Sequence, residues 1–209
     1  MPDTPLSFEF ATAARIIFRE GACRDLPSLA AAMGTRALVV TGSNPERAMR
    51  YCPSSQGIAW HFFPVQGGEP TIDAVLSGVE AGRLHNCDLV IGFGGGGAVD
   101  AGKAIAALLT NQDDIYDYLE VIGKAKPLSQ PPLPNIAVPT TAGTGAEVTR
   151  NAVIKSTAHQ VKVSLRSPSM LPRLALVDPT LTLSMPPEVT ASTGLDALTQ
   201  LNRHWFLQS

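Results

Sequence analysis

Between Asp88 and Leu109 the chain reads DLVIGFGGGGAVDAGKAIAALL, with glycine at five of the six positions from Gly92 to Gly97. Leu89 to Ile91 is an apolar run short enough for a buried strand. After the glycines, apolar residues return at Val99, Ile105, Ala106, Leu108 and Leu109, at helical spacing. The segment predicts strand, glycine turn, helix. Such a turn leaves backbone N–H groups free at a helix N-terminus, where the dipole adds partial positive charge. Glycine lets a ligand approach that backbone closely. The expected ligand is a phosphate or pyrophosphate.

Two motifs overlap here. Gly92, Gly94 and Gly97 satisfy the dinucleotide spacing G-x-G-x-x-G, while Gly97 to Lys103 satisfies G-x-x-x-x-G-K, most of a P-loop. The P-loop next requires Ser or Thr for magnesium, and Ala104 stands there. The dinucleotide pattern expects a ribose-binding acid at the end of the next strand, whereas Asp113 and Asp114 sit in a polar loop. A glycine turn holding no ligand is the third reading.

The chain has 209 residues, enough for one large domain or one domain and part of another. A hydrophobic fraction of 44% and a charged fraction of 16% provide for a packed core and argue against disorder. A net charge of −2 argues against a nucleic-acid surface. No apolar run approaches the roughly 20 residues of a bilayer span. The start MPDTPLSFEF has neither the basic residues nor the apolar core of a secretion signal. Cys23, Cys52 and Cys87 stand far apart, as reduced thiols in the cytoplasm would.

In order, short strands are expected at Phe8–Phe10 and Arg15–Phe18, and a helix from Cys23 to Met33. Ala37–Thr41 is a buried strand, followed by a capping turn at Gly42, Ser43, Asn44 and Pro45 and a helix to about Tyr51. Ile58–Pro64 reads as a strand and Ile72–Leu84 as a helix. This alternation predicts an α/β fold with a Rossmann-like parallel sheet covered on both faces, and ligands beyond the carboxyl ends of its strands. After the proline-rich connection Gly123–Pro134, the strand Asn135–Pro139 delivers a loop dense in hydroxyls and glycines, Thr140 to Thr149. Such a loop wraps polar ligand groups or satisfies its own backbone. Val153–Lys155 and Val161–Leu165 predict a hairpin, Leu174–Val177 a strand, and Glu188–Leu201 a helix interrupted near Gly194.

Three long stretches, GGGGAVDAGKAIA, PTTAGTGAEVTRNAVI and LVDPTLTLSMPPEVTASTGLDALT, together with KVSLRSP, resemble the iron-containing (group III) alcohol dehydrogenase family. Its relatives include glycerol dehydrogenase, lactaldehyde reductase and dehydroquinate synthase. The resemblance implies a dinucleotide-binding α/β domain, here residues 1–184, followed by the start of an all-helical metal-binding domain, here 185–209. The cofactor pyrophosphate is implied on Gly94, Gly95, Gly96 and Gly97, with Gly97 where many members carry Ser. Asp100 and Lys103 match the rest of that motif. Thr140, Thr141 and Thr144 match the loop holding cofactor phosphate, ribose and nicotinamide, and Lys162 a lysine near the ribose.

NAD-preferring members place Asp after the Thr that ends ALVVT. Here Gly42, Ser43 and Asn44 follow, with Arg47 nearby, so NADP is favoured over NAD. Of the family's metal ligands, one Asp and three His, Asp196 matches the Asp and Gln200 takes the place of the first His. A Gln carbonyl is a poorer ligand than imidazole for iron or zinc. His204 lies about 12 Å along the helix from Asp196, and His61, His85 and His159 precede the helical domain. The residues after Leu201 leave the family pattern, as in a chain truncated within the helical domain. Exposed Leu195, Leu198, Leu201, Trp205 and Phe206 then predict a homo-oligomer. The implied reaction is hydride transfer between nicotinamide and an alcohol or aldehyde, metal-assisted in full-length relatives. The alternatives are a catalytically impaired dinucleotide-binding or interaction module, a metal-independent reductase of the maleylacetate reductase type, and a P-loop phosphotransferase.

Overall fold

A computed structural model describes residues 10–54 and 57–206, with side chains through Leu201. Its strands are β1 (Ile16–Phe18), β2 (Arg36–Thr41), β3 (Ala59–Pro64), β4 (Leu89–Gly94), β5 (Asn135–Pro139), β6 (Asn151–Ser156), β7 (Val161–Arg166) and β8 (Leu174–Val177). The helices are α1 (Leu26–Ala31), α2 (Glu46–Met49), α3 (Ile72–Leu84), α4 (Gly96–Thr110), α5 (Ile115–Tyr118) and α6 (Pro187–Phe206). Six strands form one sheet in the order β1-β8-β5-β4-β2-β3, every pairing parallel. The other two, β6 and β7, form a separate antiparallel hairpin, as expected. From β2 the chain steps outward to β3, then crosses back to β4 and continues the other way through β5. The strand order therefore reverses between β2 and β4, and ligands of open α/β sheets bind at that switch point.

Period-two alternation sorts the strands between two cores. Leu38, Val40 and Val90 pack with Ile72, Val75 and Val79 of α3 and the alanines of α4. Ala37, Val39, Leu89, Ile91 and Phe93 pack on the other side with Leu26 and Ala30 of α1 and Ala48 of α2. Gly92 and Gly94 share the Val90 face of β4, so the strand presents bare backbone where α4 lies. A methyl group at Gly92 would meet the Val99 Cα at 2.8 Å, and one at Gly102 would meet the Gly92 Cα at 3.0 Å. Helix and strand touch backbone to backbone, and this sets where α4 begins.

Several expectations need correction. The strand in the glycine stretch runs three residues beyond Ile91, because β2 and β5 pair with it through Phe93 and Gly94. Only Gly95 then separates strand from helix. The first helical segment is divided into a 3-10 turn, Ala22–Asp25, and α1, because Pro27 at the start of α1 favours a fresh helix start. The next helix, α2, ends at Met49 rather than near Tyr51. No interruption occurs at Gly194: α6 is continuous, since one glycine costs a helix only about 1 kcal/mol. Of the strand expected at Phe8–Phe10, Phe10 is irregular, and the rest lies outside the described residues.

Asp178, just after β8, closes the sheet edge. Its carboxylate accepts from the Gly21, Cys23 and Thr180 amides at 3.1, 3.2 and 3.1 Å and from the Thr180 hydroxyl at 2.6 Å. Burial pushes its pKa up, but those hydrogen bonds prevail and hold it below the usual carboxylate value. Its contribution to stability is therefore full above the unfolded-state pKa near 4 and is lost as pH falls through the lower folded-state value. Asp178→Ala should cost about 2–4 kcal/mol in urea unfolding at pH 7, with the difference from wild type shrinking below about pH 4. A constant difference down to pH 2 would contradict this account.

Candidate functional site

At the carboxyl ends of β4 and β5 lies a cleft of about 450 Å³. The start of α4 supplies Gly95, Gly96, Gly97 and Asp100 to it, and the loop after β5 supplies Thr141, Thr144, Ala146 and Thr149. Asn151 and Val153 of β6, the Gly68–Glu69 turn, and Thr193 and Asp196 of α6 complete its walls. Gly95 is the extended N-cap residue of α4 (φ −68°, ψ 179°), and no side chain caps the helix. The first N–H groups of such a helix have no intrahelical acceptor and point outward with the positive end of the dipole.

Two glycines of this site are dictated by close approach. A methyl group on Gly97 would lie 1.9 Å from the Gly68 carbonyl oxygen, so Ser could enter only if the Gly68 turn moved away. Gly143, at φ +125°, would place a methyl group 2.2 Å from the Thr193 carbonyl, and its absence lets α6 lean against the threonine loop. That loop is hung from the glycine turn, since the Thr140 amide donates to the Gly94 carbonyl at 2.9 Å. Thr140 itself is buried behind the cleft wall. The Thr141 hydroxyl is buried without any hydrogen-bond partner, beside the place where a Gly95 side chain would be. An orphan hydroxyl next to an uncapped helix N-terminus fits the phosphate and ribose oxygens of a dinucleotide.

Lys103 does not reach this cradle. It is 1% exposed, and its Nζ donates to the Ala146 carbonyl at 2.7 Å, the Asn151 carbonyl at 2.5 Å and the Thr149 hydroxyl at 3.1 Å. The Asp100 Oδ1 lies 2.9 Å away from it, while Asp100 Oδ2 accepts from the Val153 amide at 3.1 Å. Burial pushes the Asp100 carboxyl up and the Lys103 ammonium down, and their mutual attraction opposes both shifts. A P-loop lysine must reach phosphate, so the phosphotransferase reading falls. Asp100 borders the cleft with both oxygens already engaged.

Gly42 stands at the switch point beside Gly94, whose missing side chain would meet the Gly42 amide at 3.4 Å. Its φ is not positive, and a side chain there would meet nothing within 4 Å. The backbone therefore does not require glycine at this position. Ser43 is exposed, and Asn44 accepts from the Glu46 amide at 2.9 Å. Neither lines the cleft. Arg47 turns to the Leu181 carbonyl. Lys162 does not line the cleft; it pairs with Glu69, which does, at 2.5 Å. Sequence reasoning missed Glu69 and Gly68, although Gly67-Gly68-Glu69-Pro70 before the Thr71 cap carries a turn signal.

For a metal the described residues offer little. Asp196 lines the cleft and Gln200 is exposed one turn further along α6. Among the described residues no three His, Cys, Asp or Glu side chains converge. His61 and His85 stack on each other at 3.9 Å, and His159 bonds the Ser156 hydroxyl. The His204 side chain lies outside the described residues. Two oxygen donors do not make the four-ligand nitrogen or sulfur set that zinc prefers, nor a site for iron.

The family model described as iron-containing alcohol dehydrogenase matches residues 13–179. A probable alcohol dehydrogenase, EutG, of Salmonella typhimurium is 44% identical over 144 residues, which are 69% of this chain and 35% of the relative. Choline dehydrogenase of Bacillus subtilis is 36% identical over 85% of this chain and 46% of its own length. The crystal structure of sulfoacetaldehyde reductase from Bifidobacterium kashiwanohense in complex with NAD+ superposes with a TM-score of 0.86 and 34% identity, covering 94% of this chain and 52% of that one. The chain thus spans about half the length, or less, of these relatives.

If Lys103 is a tether for the threonine loop, Lys103→Met should destabilise the chain by about 3–5 kcal/mol, because it strands a buried carboxylate. Urea unfolding measures this, and a loss below about 1 kcal/mol would remove the tether.

Proposed function

We propose, since this chain belongs to the iron-containing alcohol dehydrogenase family, that its cleft binds a nicotinamide dinucleotide for oxidoreduction of a small alcohol or aldehyde. The observation that carries this reading is the uncapped N-terminus of α4 opening beside the orphan Thr141 hydroxyl. In this assignment the backbone of Gly94 to Gly97 holds the pyrophosphate. Thr141 and Thr144 bind oxygens of the phosphate, ribose and nicotinamide portions, with Thr140 fixing the loop from behind. Lys162 serves the ribose from the rim, and Gly42, Ser43 and Asn44 receive the adenosine ribose. When bound, the nicotinamide gives or takes the hydride, while the protein orients it. Asp196 and Gln200 remain the candidate metal donors.

NADP is preferred in this reading because no carboxylate follows Thr41 and the space beside Gly42 is open. An Asp there would bond the ribose hydroxyls of NAD and repel a 2′-phosphate. Against it stands Arg47, committed to Leu181 rather than turned to the phosphate position; this favours NAD as the second reading. A cytoplasmic homo-oligomer accompanies the proposal, supported by three free cysteines and by Leu195, Leu198 and Leu201, which are 64%, 53% and 70% exposed.

Calorimetric titration with NADPH and NADH, with magnesium-ATP as control, tests the site. NADPH should bind more tightly than NADH, and magnesium-ATP should not bind. Gly42→Asp should weaken NADPH by about tenfold or more, the equivalent of about 1.4 kcal/mol, while leaving NADH unchanged or tighter. Equal affinities in both proteins would remove the NADP assignment, and no dinucleotide binding at all would remove the site.

Sedimentation of the purified chain should show species larger than a monomer, and Leu195→Glu with Leu198→Glu should reduce them. A strictly monomeric wild type would refute self-association.

A further inference from the structure

Glu69 has no role in the cofactor assignment, yet it forms part of the cleft wall a few ångströms from the phosphate cradle. It ends a short segment, 66–69, between β3 and α3. Both flanks of this segment are fixed. On one side the Val65 amide donates to the Thr41 carbonyl at 2.9 Å; on the other the Lys155 amide donates to the Pro70 carbonyl at 2.8 Å, and Thr71 caps α3. Between these anchors stand Gly67 and Gly68, the latter at φ +90°, with open space where their side chains would be. Glycine is costly to order, so something must fasten this stretch.

Two contacts do so. The Gly68 carbonyl rests against the bare α-carbon of Gly97, an approach that a methyl group would block at 1.9 Å. The Glu69 carboxylate meets the Lys162 ammonium at 2.5 Å, with the two side chains 38% and 61% exposed. The hydrogen bond from Lys162 is the main cause holding the Glu69 carboxyl below its usual pKa. An exposed pair of this kind adds little to fold stability. Its place on a segment that walls the cleft gives it another use.

We infer that Glu69 is a positioning residue of the dinucleotide site: paired with Lys162 of β7, it fastens the 66–69 segment against Gly97. This rests on the dinucleotide reading above. With the latch closed, the segment walls the phosphate cradle and its carboxylate is neutralised. With the latch broken, the two-glycine segment swings, Lys162 regains its rotamer freedom, and a bound dinucleotide escapes faster.

The test is stopped-flow dissociation of NADPH, with equilibrium affinity, for wild type, Glu69→Gln, Lys162→Met and the double variant. Each single change should raise the dissociation rate about five- to tenfold. The double variant should be no worse than the more damaged single, because both remove one latch. The unfolding midpoint of the ligand-free chain should not change, which separates positioning from a structural role. Gly97→Ala, which displaces the Gly68 carbonyl without altering charge, should also speed dissociation. Multiplying effects in the double variant, tighter binding by Glu69→Gln, or wild-type kinetics in Glu69→Gln would each overturn the inference while leaving the site intact. A wild type that binds neither dinucleotide overturns the site itself and this inference with it.

Discussion

Lys103 Nζ holds the functional end of the molecule together. From the middle of α4 it reaches Asp100 on its own helix, the carbonyl of Ala146 and hydroxyl of Thr149 in the threonine loop, and the carbonyl of Asn151 at the start of β6. Asp100 completes the circuit through the Val153 amide. A buried ammonium needs partners for all its hydrogens, and a buried carboxylate needs a counter-ion. Each therefore demands that helix, loop and hairpin stand where they do. The threonines face the glycine turn because the other end of their loop is tied to this lysine.

That arrangement depends on the glycines of β4. Alternation puts Gly92 and Gly94 on the face that receives α4, and Gly102 answers from the helix. Side chains at these positions would push α4 outward. The Lys103 stem would then no longer reach the loop, and the helix N-terminus would no longer lie at the reversal between β2 and β4. Packing and ligand site are thus one constraint: the backbone contact that closes the core also places the unpaired amides.

Much of this was legible in the sequence, for identifiable reasons. The strands ALVVT, Leu89–Ile91 and NIAVP are apolar on both faces, as strands covered on both sides must be, and α3 shows helical spacing ending where the structure ends it. Gly95, Gly96, Gly97, Asp100, Thr141, Thr144 and Asp196 do meet in one cleft. What was hidden depends on tertiary approach. Local spacing made Lys103 a candidate phosphate ligand, whereas its partners beyond Asp100 lie 43 to 48 residues further along the chain. Gly97 stands where many family members carry Ser, and the reason for its glycine, the Gly68 carbonyl against it, lies 29 residues away in the sequence. Glu69 carries no motif, and only the hairpin that brings Lys162 to its carboxylate gives it meaning. Gly194 suggested a break that helix propensity alone does not enforce.

The charge of the cleft constrains how it treats an anionic ligand. Three carboxylates, Glu69, Asp100 and Asp196, line it, an odd wall for a pyrophosphate. Asp100 is engaged by Lys103 and Val153, and Glu69 by Lys162. Among the described residues no cation pairs with Asp196. It belongs to α6, which leans against the threonine loop at Gly143. Attraction for phosphate must then come from the open amides and dipole of α4 rather than from arginines or lysines. Fixed dipoles act at short range and need no side chain to be ordered. Such a site selects by backbone fit, which is why its glycines, more than its charges, determine what enters.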